Sequence, residues 1–258
     1  MTRATPLQQS TGFARALTAY GATVLSDEPV LLQRQFGRFG RLVFASRAAV
    51  DAVSGTPVRI LNGEHDCPQS YRDAGFRQII TPAHIAEWDL RRTDLRPTMS
   101  GKWRNQLIKG ERAGLRIKET NWRGNSHWLF ENAEKLARQR RFRPLPTGLL
   151  AMFAHMNRND AVIFEAFDRA TPVAACLILR HGPVATYQTA WSAPKGYALQ
   201  APRVLLHHAA TRMAALGHVT LDLGLVQTDT AAGLARFKLG SGARLRKLGG
   251  TWIRLGRC

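Results

Sequence analysis

Lysine is scarce in this 258-residue chain: there are seven, at 102, 109, 118, 135, 195, 238 and 247, against 30 arginines. Acidic residues are few as well, 18 Asp and Glu together, which leaves a formal charge of +19. Cysteine is rarer still. Cys67, Cys176 and Cys258 form no C-x-x-C pair and are odd in number, which argues against a disulfide framework or a zinc knuckle and points to a reducing cytoplasm. The longest apolar stretch, Pro172–Leu179, falls far short of the ~18–20 residues that span a bilayer. Met1–Ala19 holds no continuous apolar segment, so neither membrane spanning nor export is expected. The motifs of several chemistries are also missing: no G-x-S-x-G elbow, no paired Cys and His motif, no H-E-x-x-H and no G-x-x-x-x-G-K-[ST]. Their absence removes the easily recognised rival chemistries.

What is present is enough apolar material for a large core. Hydrophobic residues make up 45% of the chain and charged ones 21%, which excludes a disordered basic tail. A globular protein with a basic exterior attracts polyanions: nucleic acid, anionic lipid or a phosphate-bearing substrate.

Periodicity supplies the organisation. Phe13, Ala16, Leu17 and Tyr20 form one stripe of a short helix behind the cap-like Ser10-Thr11, and short β-rich runs follow at 22–25, 30–36, 41–45 and 58–61. A helix over 67–74 and strands at 76–80 and 86–89 complete a small α/β half, placed at residues 1–95. From Thr98 to Ala113 the period becomes helical, with Met99, Trp103, Leu107 and Gly110 on one stripe and Lys102, Asn105, Lys109 and Arg112 on another. Helices over 126–141 and 147–157 come next, the first with Arg138, Arg140 and Arg141 in its last turn and Arg143 just beyond. That cluster suits the helix macrodipole as well as a polyanion. Three antiparallel strands (162–167, 173–180, 185–191), a polar loop (192–201) and a helix from Pro202 to Leu216 come after these. A strand at 219–223, a helix at 230–238 and a final strand at 245–255 close a second unit, residues 96–258.

That order resembles the GNAT acyltransferase fold. More specifically, Leu221-Asp222-Leu223-Gly224 followed by Gly233-Leu234-Ala235-Arg236-Phe237-Lys238-Leu239-Gly240-Ser241-Gly242 is similar to the "DLG … G-L-x-x-F-K-x-x-x-G" signature of FemAB-like transferases. Upstream, Lys102-Trp103-Arg104-Asn105-Gln106-Leu107 with Glu111-Arg112-Ala113-Gly114-Leu115 resembles the helix that opens the family's second domain, and Pro6-Leu7-Gln8-Gln9-Ser10 its beginning. The resemblance implies an α/β (α+β) protein: a GNAT-like mixed sheet flanked by helices, behind a reduced amino-terminal GNAT-like half. It also implies an N-acyltransferase moving an acyl or aminoacyl group onto an amine. The donor would be an acyl-CoA, another acyl thioester or an aminoacyl-tRNA, each a co-substrate rather than a tightly bound cofactor.

Such a reaction needs an activated ester or thioester, a neutral amine and donors aimed at the developing oxyanion. By the resemblance Lys238 acts on the donor and on charge developing during transfer; read without it, Lys238 is a lysine at a helix end. Asp222 orients the incoming amine or accepts its proton, or else caps the turn that follows it. Gly224 allows close backbone approach. Lys195, Gln200 and Arg203, in the loop and helix start where CoA-dependent relatives place their pyrophosphate loop, together with Arg236 and Phe237, make up the expected donor site. That loop lacks the family's glycine pattern, but a helix start still offers free N–H groups to an anion. The alternative is a non-catalytic module that binds RNA or anionic lipid through Lys102, Lys109, Arg112 and Arg140.

Overall fold

A computed structural model describes residues 5–255. In chain order the elements are α1 (Thr11–Ala19), β1 (Thr23–Asp27), β2 (Val30–Gln35), β3 (Arg41–Ala48), β4 (Val58–Gly63), α2 (Pro68–Asp73), β5 (Arg77–Ile80) and β6 (His84–Asp89). Then come α3 (Gly101–Glu111), β7 (Arg116–Asn121), α4 (Trp128–Gln139), α5 (Thr147–Met156), β8 (Ala161–Asp168), β9 (Thr171–His181) and β10 (Val184–Ser192). The last are α6 (Pro194–Ala198), α7 (Ala201–Ala215), β11 (Thr220–Val226), α8 (Thr228–Gly240), β12 (Arg244–Lys247) and β13 (Gly250–Ile253).

Helix starts follow local chemistry. The Ser10 hydroxyl accepts the Phe13 N–H at 3.2 Å and Ser100 accepts that of Trp103 at 3.4 Å, while His127 Nδ1 accepts the Leu129 N–H at 3.1 Å. Each fills an orphan donor of a first turn.

Two mixed sheets result, one ordered β1-β2-β3-β4-β13-β5 and the other β12-β6-β11-β10-β9-β8-β7. Alternate residues of β8 and β9 feed separate cores. Val162, Phe164, Cys176 and Ile178 pack with Trp103 and Leu107 of α3 and with Leu205, Leu206, Ala209 and Met213 of α7. Ile163, Leu177 and Leu179 pack on the opposite face with α1, α4 and α5. Each such side chain contributes about 1.5–3 kcal/mol on full burial.

The two sheets share a ribbon. β5 and β6 run on from each other past Pro82, β12 and β13 past Gly249, and the two lengths pair antiparallel throughout: Arg77 opposite Ile253, Ile80 opposite Thr251, His84 opposite Lys247, Glu87 opposite Arg244. β5 is an edge of one sheet and β12 an edge of the other. A boundary at 95/96 therefore does not separate the sheets, because β6 belongs to the second and β13 to the first. Trp252 of β13 is buried in the first sheet's core, stacked on Tyr71 at 4.8 Å between centroids.

Three local expectations change. The final strand expected over 245–255 is two strands in different sheets, broken at Gly249-Gly250, where Gly250 takes a φ of +81°. The loop 192–201 contains the short helix α6. β7 is a further strand, an exposed polar edge of sequence Arg-Ile-Lys-Glu-Thr-Asn that offers no apolar alternation to read.

Candidate active site

β10 and β11 run parallel but pair over three residues only, Val184–Thr220, Ala185–Leu221 and Thr186–Asp222. Beyond that point β10 continues against β9, from Tyr187 to Ser192, and β11 against β6. Two adjacent strands thus part within the second sheet. Separated strands leave backbone groups without ladder partners, and such groups must find others.

Lys238 supplies one. It reaches from α8 to donate its Nζ proton to the Leu225 carbonyl at 2.7 Å, just past the last β10–β11 pair. Its side chain is buried, whereas the other six lysines are all exposed. Burial disfavours the charged form and pulls its pKa from 10.5 down to about 8, the Asp222 carboxylate opposing that fall. Gly224 lies in the left-handed region at φ +73°, and a Cβ there would stand 3.8 Å from Lys238 Nζ. Asp222, Gly224 and Lys238 are therefore brought together.

Asp222 holds one partner on each of its oxygens. Its Oδ1 accepts the Gly224 N–H at 2.7 Å, the turn-capping bond, and its Oδ2 meets Arg47 Nη1 at 2.5 Å. Arg47 comes from β3 of the other sheet, holds a φ of +51°, and grips Glu64 with Nε at 2.8 Å and Nη2 at 3.1 Å. Burial opposes the charge of Arg47, but Glu64 and Asp222 outweigh it and hold the guanidinium above its ordinary range. Glu64 Oε1 also accepts from Arg246 at 2.5 Å, and Arg246 binds Glu87 through two bonds of 2.8 and 2.9 Å. A chain of alternating charge, Glu87–Arg246–Glu64–Arg47–Asp222, so links β6, β12, the residue just after β4, β3 and β11. Beside it His181 Nε2 shares a hydrogen with Thr186 Oγ1 at 2.8 Å, and burial pulls the His181 pKa down to about 4. Sequence reading missed Arg47, Glu64, Glu87 and Arg246.

A second group forms at the start of α7. Gln200 sits before the helix in the left-handed region, φ +58°, and its Oε1 accepts from Arg203 Nη1 at 2.6 Å. The Arg203 guanidinium lies 6.0 Å from the Trp103 ring and 5.8 Å from that of Phe237. Its Nε is buried with no hydrogen-bond partner among the described residues, and burial lowers its pKa. Trp103 in turn donates Nε1–H to the Phe237 carbonyl at 2.9 Å, tying α3 to α8.

The remaining candidates lie apart. Lys195 pairs with Asp168, and Arg236 is exposed on α8. Lys102, Lys109 and Arg112 are exposed on and just after α3, while Arg140 ends α4 on the opposite face of the second sheet. They do not make one continuous stripe. Among the described residues no cluster of His, Cys, Asp or Glu could hold a metal ion, and no helix is long and apolar enough to cross a membrane.

Strand order and the parted β10–β11 pair fit an acyltransferase of the GNAT class. Residues 101–239 match the family described as acetyltransferase (GNAT) domain, more than half of the chain, and the protein belongs to that family. Its fold is similar to that of FemX, with a TM-score of 0.74 and 11% identity over 98% of this chain and 96% of that one. It is also similar to the C-terminal domain of a putative lysylphosphatidylglycerol synthetase from Agrobacterium fabrum, with a TM-score of 0.61 and 14% identity over 97% and 89%. A third similar structure is L-PGS from Bacillus licheniformis, with a TM-score of 0.55 and 14% identity over 95% and 91%. No curated protein matches the chain significantly. The FemAB-like resemblance of the 221–242 segment is thus matched by a fold shared along nearly the whole chain.

Proposed function

We propose that this protein transfers an acyl or aminoacyl group from a phosphate-bearing carrier to a primary amine by direct attack, with Lys238 as the charge that meets the oxyanion. The amine nitrogen forms a bond to the acyl carbon. The C–S or C–O bond to the carrier breaks, and the proton lost by the amine leaves with the thiol or hydroxyl. The observation that carries the reading is the single buried lysine at the point where β10 and β11 part. With a pKa of about 8 it is mostly protonated at neutral pH, which suits a charge-neutralising role and not that of a base.

The carrier's phosphates fit the start of α7, where the helix dipole and the Arg203 guanidinium lie together; the Arg203 and Val204 N–H groups already donate to the Gln200 carbonyl, so the side chain and the dipole, not the backbone, would meet the anion. Either acyl-CoA or aminoacyl-tRNA offers that chemistry, each arriving and leaving as a co-substrate. Likeness to a domain of a synthetase named for lysylphosphatidylglycerol, an aminoacylated lipid, keeps the aminoacyl donor within the reading. The opposed positions of the α3 and α4 cations do not favour a passive polyanion-binding surface.

Melting the protein with CoA and, separately, with deacylated tRNA distinguishes the carriers, since a ligand held only by the native state raises Tm. Turnover with the matching charged donor is then compared for wild type and Lys238→Ala. A loss of at least a hundredfold is expected, about 2.7 kcal/mol of transition-state stabilisation. Unchanged turnover in a folded variant would overturn the role of Lys238, and RNA binding without transfer from any donor would overturn the enzyme reading.

A further inference from the structure

The charge chain that ends on Asp222 has no part in the transfer chemistry as such, yet Asp222 binds the Gly224 N–H, and Lys238 Nζ lies 3.8 Å from where a Gly224 Cβ would stand. Resting on the reading that Lys238 faces the oxyanion, we propose that Arg47 is a positioning residue: it fixes the Asp222 carboxylate toward the first sheet and thereby keeps it from pairing with the Lys238 ammonium. The geometry carries this. Asp222 is 3% exposed, and its two oxygens are spoken for separately, Oδ1 by the Gly224 N–H and Oδ2 by Arg47. Arg47 cannot follow a moving carboxylate, because two of its other nitrogens are locked on Glu64, and Glu64 is locked on Arg246. Its left-handed backbone conformation, uncommon for a residue with a side chain, is held in place by the same bonds.

The charged and titratable groups around the junction are Asp222 on β11, Lys238 on α8, Arg47 on β3, Glu64 after β4, Arg246 on β12, Glu87 on β6 and His181 on β9. His181 is held neutral down to well below physiological pH, Glu64 is shared by the two guanidinium groups, and Glu87 is held by Arg246. The balance at Lys238 is therefore set by one anion, Asp222, and the one cation that competes for it, Arg47. Removing Arg47 frees the carboxylate to turn to Lys238, favouring the ammonium and raising its pKa; removing the carboxylate does the reverse. The first sheet, which holds no candidate transfer residue, would in this way govern the charge state of the reacting centre in the second.

Lysine labelled with 13C and 15N gives seven side-chain signals, and that of Lys238 is the one missing from Lys238→Arg. Its titration midpoint should rise by about one pH unit in Arg47→Met and fall by a similar amount in Asp222→Asn. Arg47→Lys, which keeps a cation but not the fork, should fall between wild type and Arg47→Met. A folded Arg47→Met with the wild-type midpoint overturns the proposal. Should that variant fail to fold, the isosteric Asp222→Asn decides alone, and an unmoved midpoint there overturns it equally. Because the signal is read without substrate, its outcome is independent of whether Lys238→Ala loses turnover: a moved midpoint with unchanged turnover sinks the catalytic role and leaves the coupling standing.

Discussion

Replacing Lys238 with methionine should make the protein more stable at neutral pH while removing its activity. In the folded chain the Lys238 pKa is depressed to about 8 from 10.5, so between those values the unfolded chain binds more protons than the folded one. Stability then climbs with pH across that window, and below it the wild type carries the full cost of the buried charge. At about 1.4 kcal/mol per pH unit the gap amounts to about 3 kcal/mol. Methionine fills similar space without charge, but it leaves the Leu225 carbonyl without its donor, which costs about 1 kcal/mol or more. A net gain of about 2 kcal/mol at pH 7 is expected from these two quantities. Groups other than Lys238 titrate in both proteins and cancel in the difference. Urea unfolding of wild type and Lys238→Met at pH 7 and pH 10 therefore isolates the one ionisation: the advantage of the variant should shrink by about 2–3 kcal/mol between the two pH values. Parallel curves for the two proteins would show that the ammonium is not desolvated and would refute the reasoning.

Other consequences are equally direct. Gly224→Ala places a methyl in a left-handed conformation without a backbone clash and at ordinary contact distance from Lys238 Nζ, so it should cost only about 1 kcal/mol, or about 2–4 °C in Tm, which thermal melting of the variant checks. In Gly196→Ala the new Cβ would overlap the Val173 carbonyl oxygen and the Ser192 hydroxyl, so α6 must shift; Tm should fall and the shift produced by the donor carrier should diminish with it. Arg203→Ala should weaken carrier binding about tenfold or more, measured as Kd at fixed salt, with little change in Tm of the free protein. A chain of residues 96–258 alone lacks β6 and should give neither a cooperative melt nor a native circular-dichroism spectrum, and a cooperative melt would contradict the shared ribbon.

What the sequence discloses and what it hides divide along chain separation. Helix α1 is readable because its cap, its apolar stripe and its stop lie within a dozen residues, and α7 because Pro202 and the 206–213 stripe mark its start and face. Asp222, Gly224 and Lys238 stand out because one short motif holds them all. Arg47 and Asp222, by contrast, are 175 positions apart, and Arg246 and Glu64 182, with nothing local in either pair to announce the other. The single clue was of another kind: a charged residue at the end of each of two apolar strands, β3 and β4, where a solvated residue serves equally well. The break of the last strand did carry a local signal, the Gly249-Gly250 dipeptide, but continuity of the apolar pattern through Leu248 and Trp252 masks it. The edge strand β7 carried none, since its stability comes from ladder bonds to β8 and not from side chains.

Charge gains a more definite meaning once the strands are placed. Of the 18 acidic residues, Glu64, Glu87 and Asp222 are drawn into the junction between the sheets, matched there by Arg47, Arg246 and Lys238. With Lys238 protonated these six groups sum to zero; with Lys238 neutral they leave one negative charge beside the place where an oxyanion would form. The first state attracts that oxyanion and the second repels it, so turnover by Lys238 should fall as pH rises through about 8, although the acceptor amine itself gains nucleophilicity there. Arginine fills the two fixed cationic positions, where a forked, permanently charged group can bind two carboxylates at once. Lysine fills the one position whose charge must stay responsive to its surroundings.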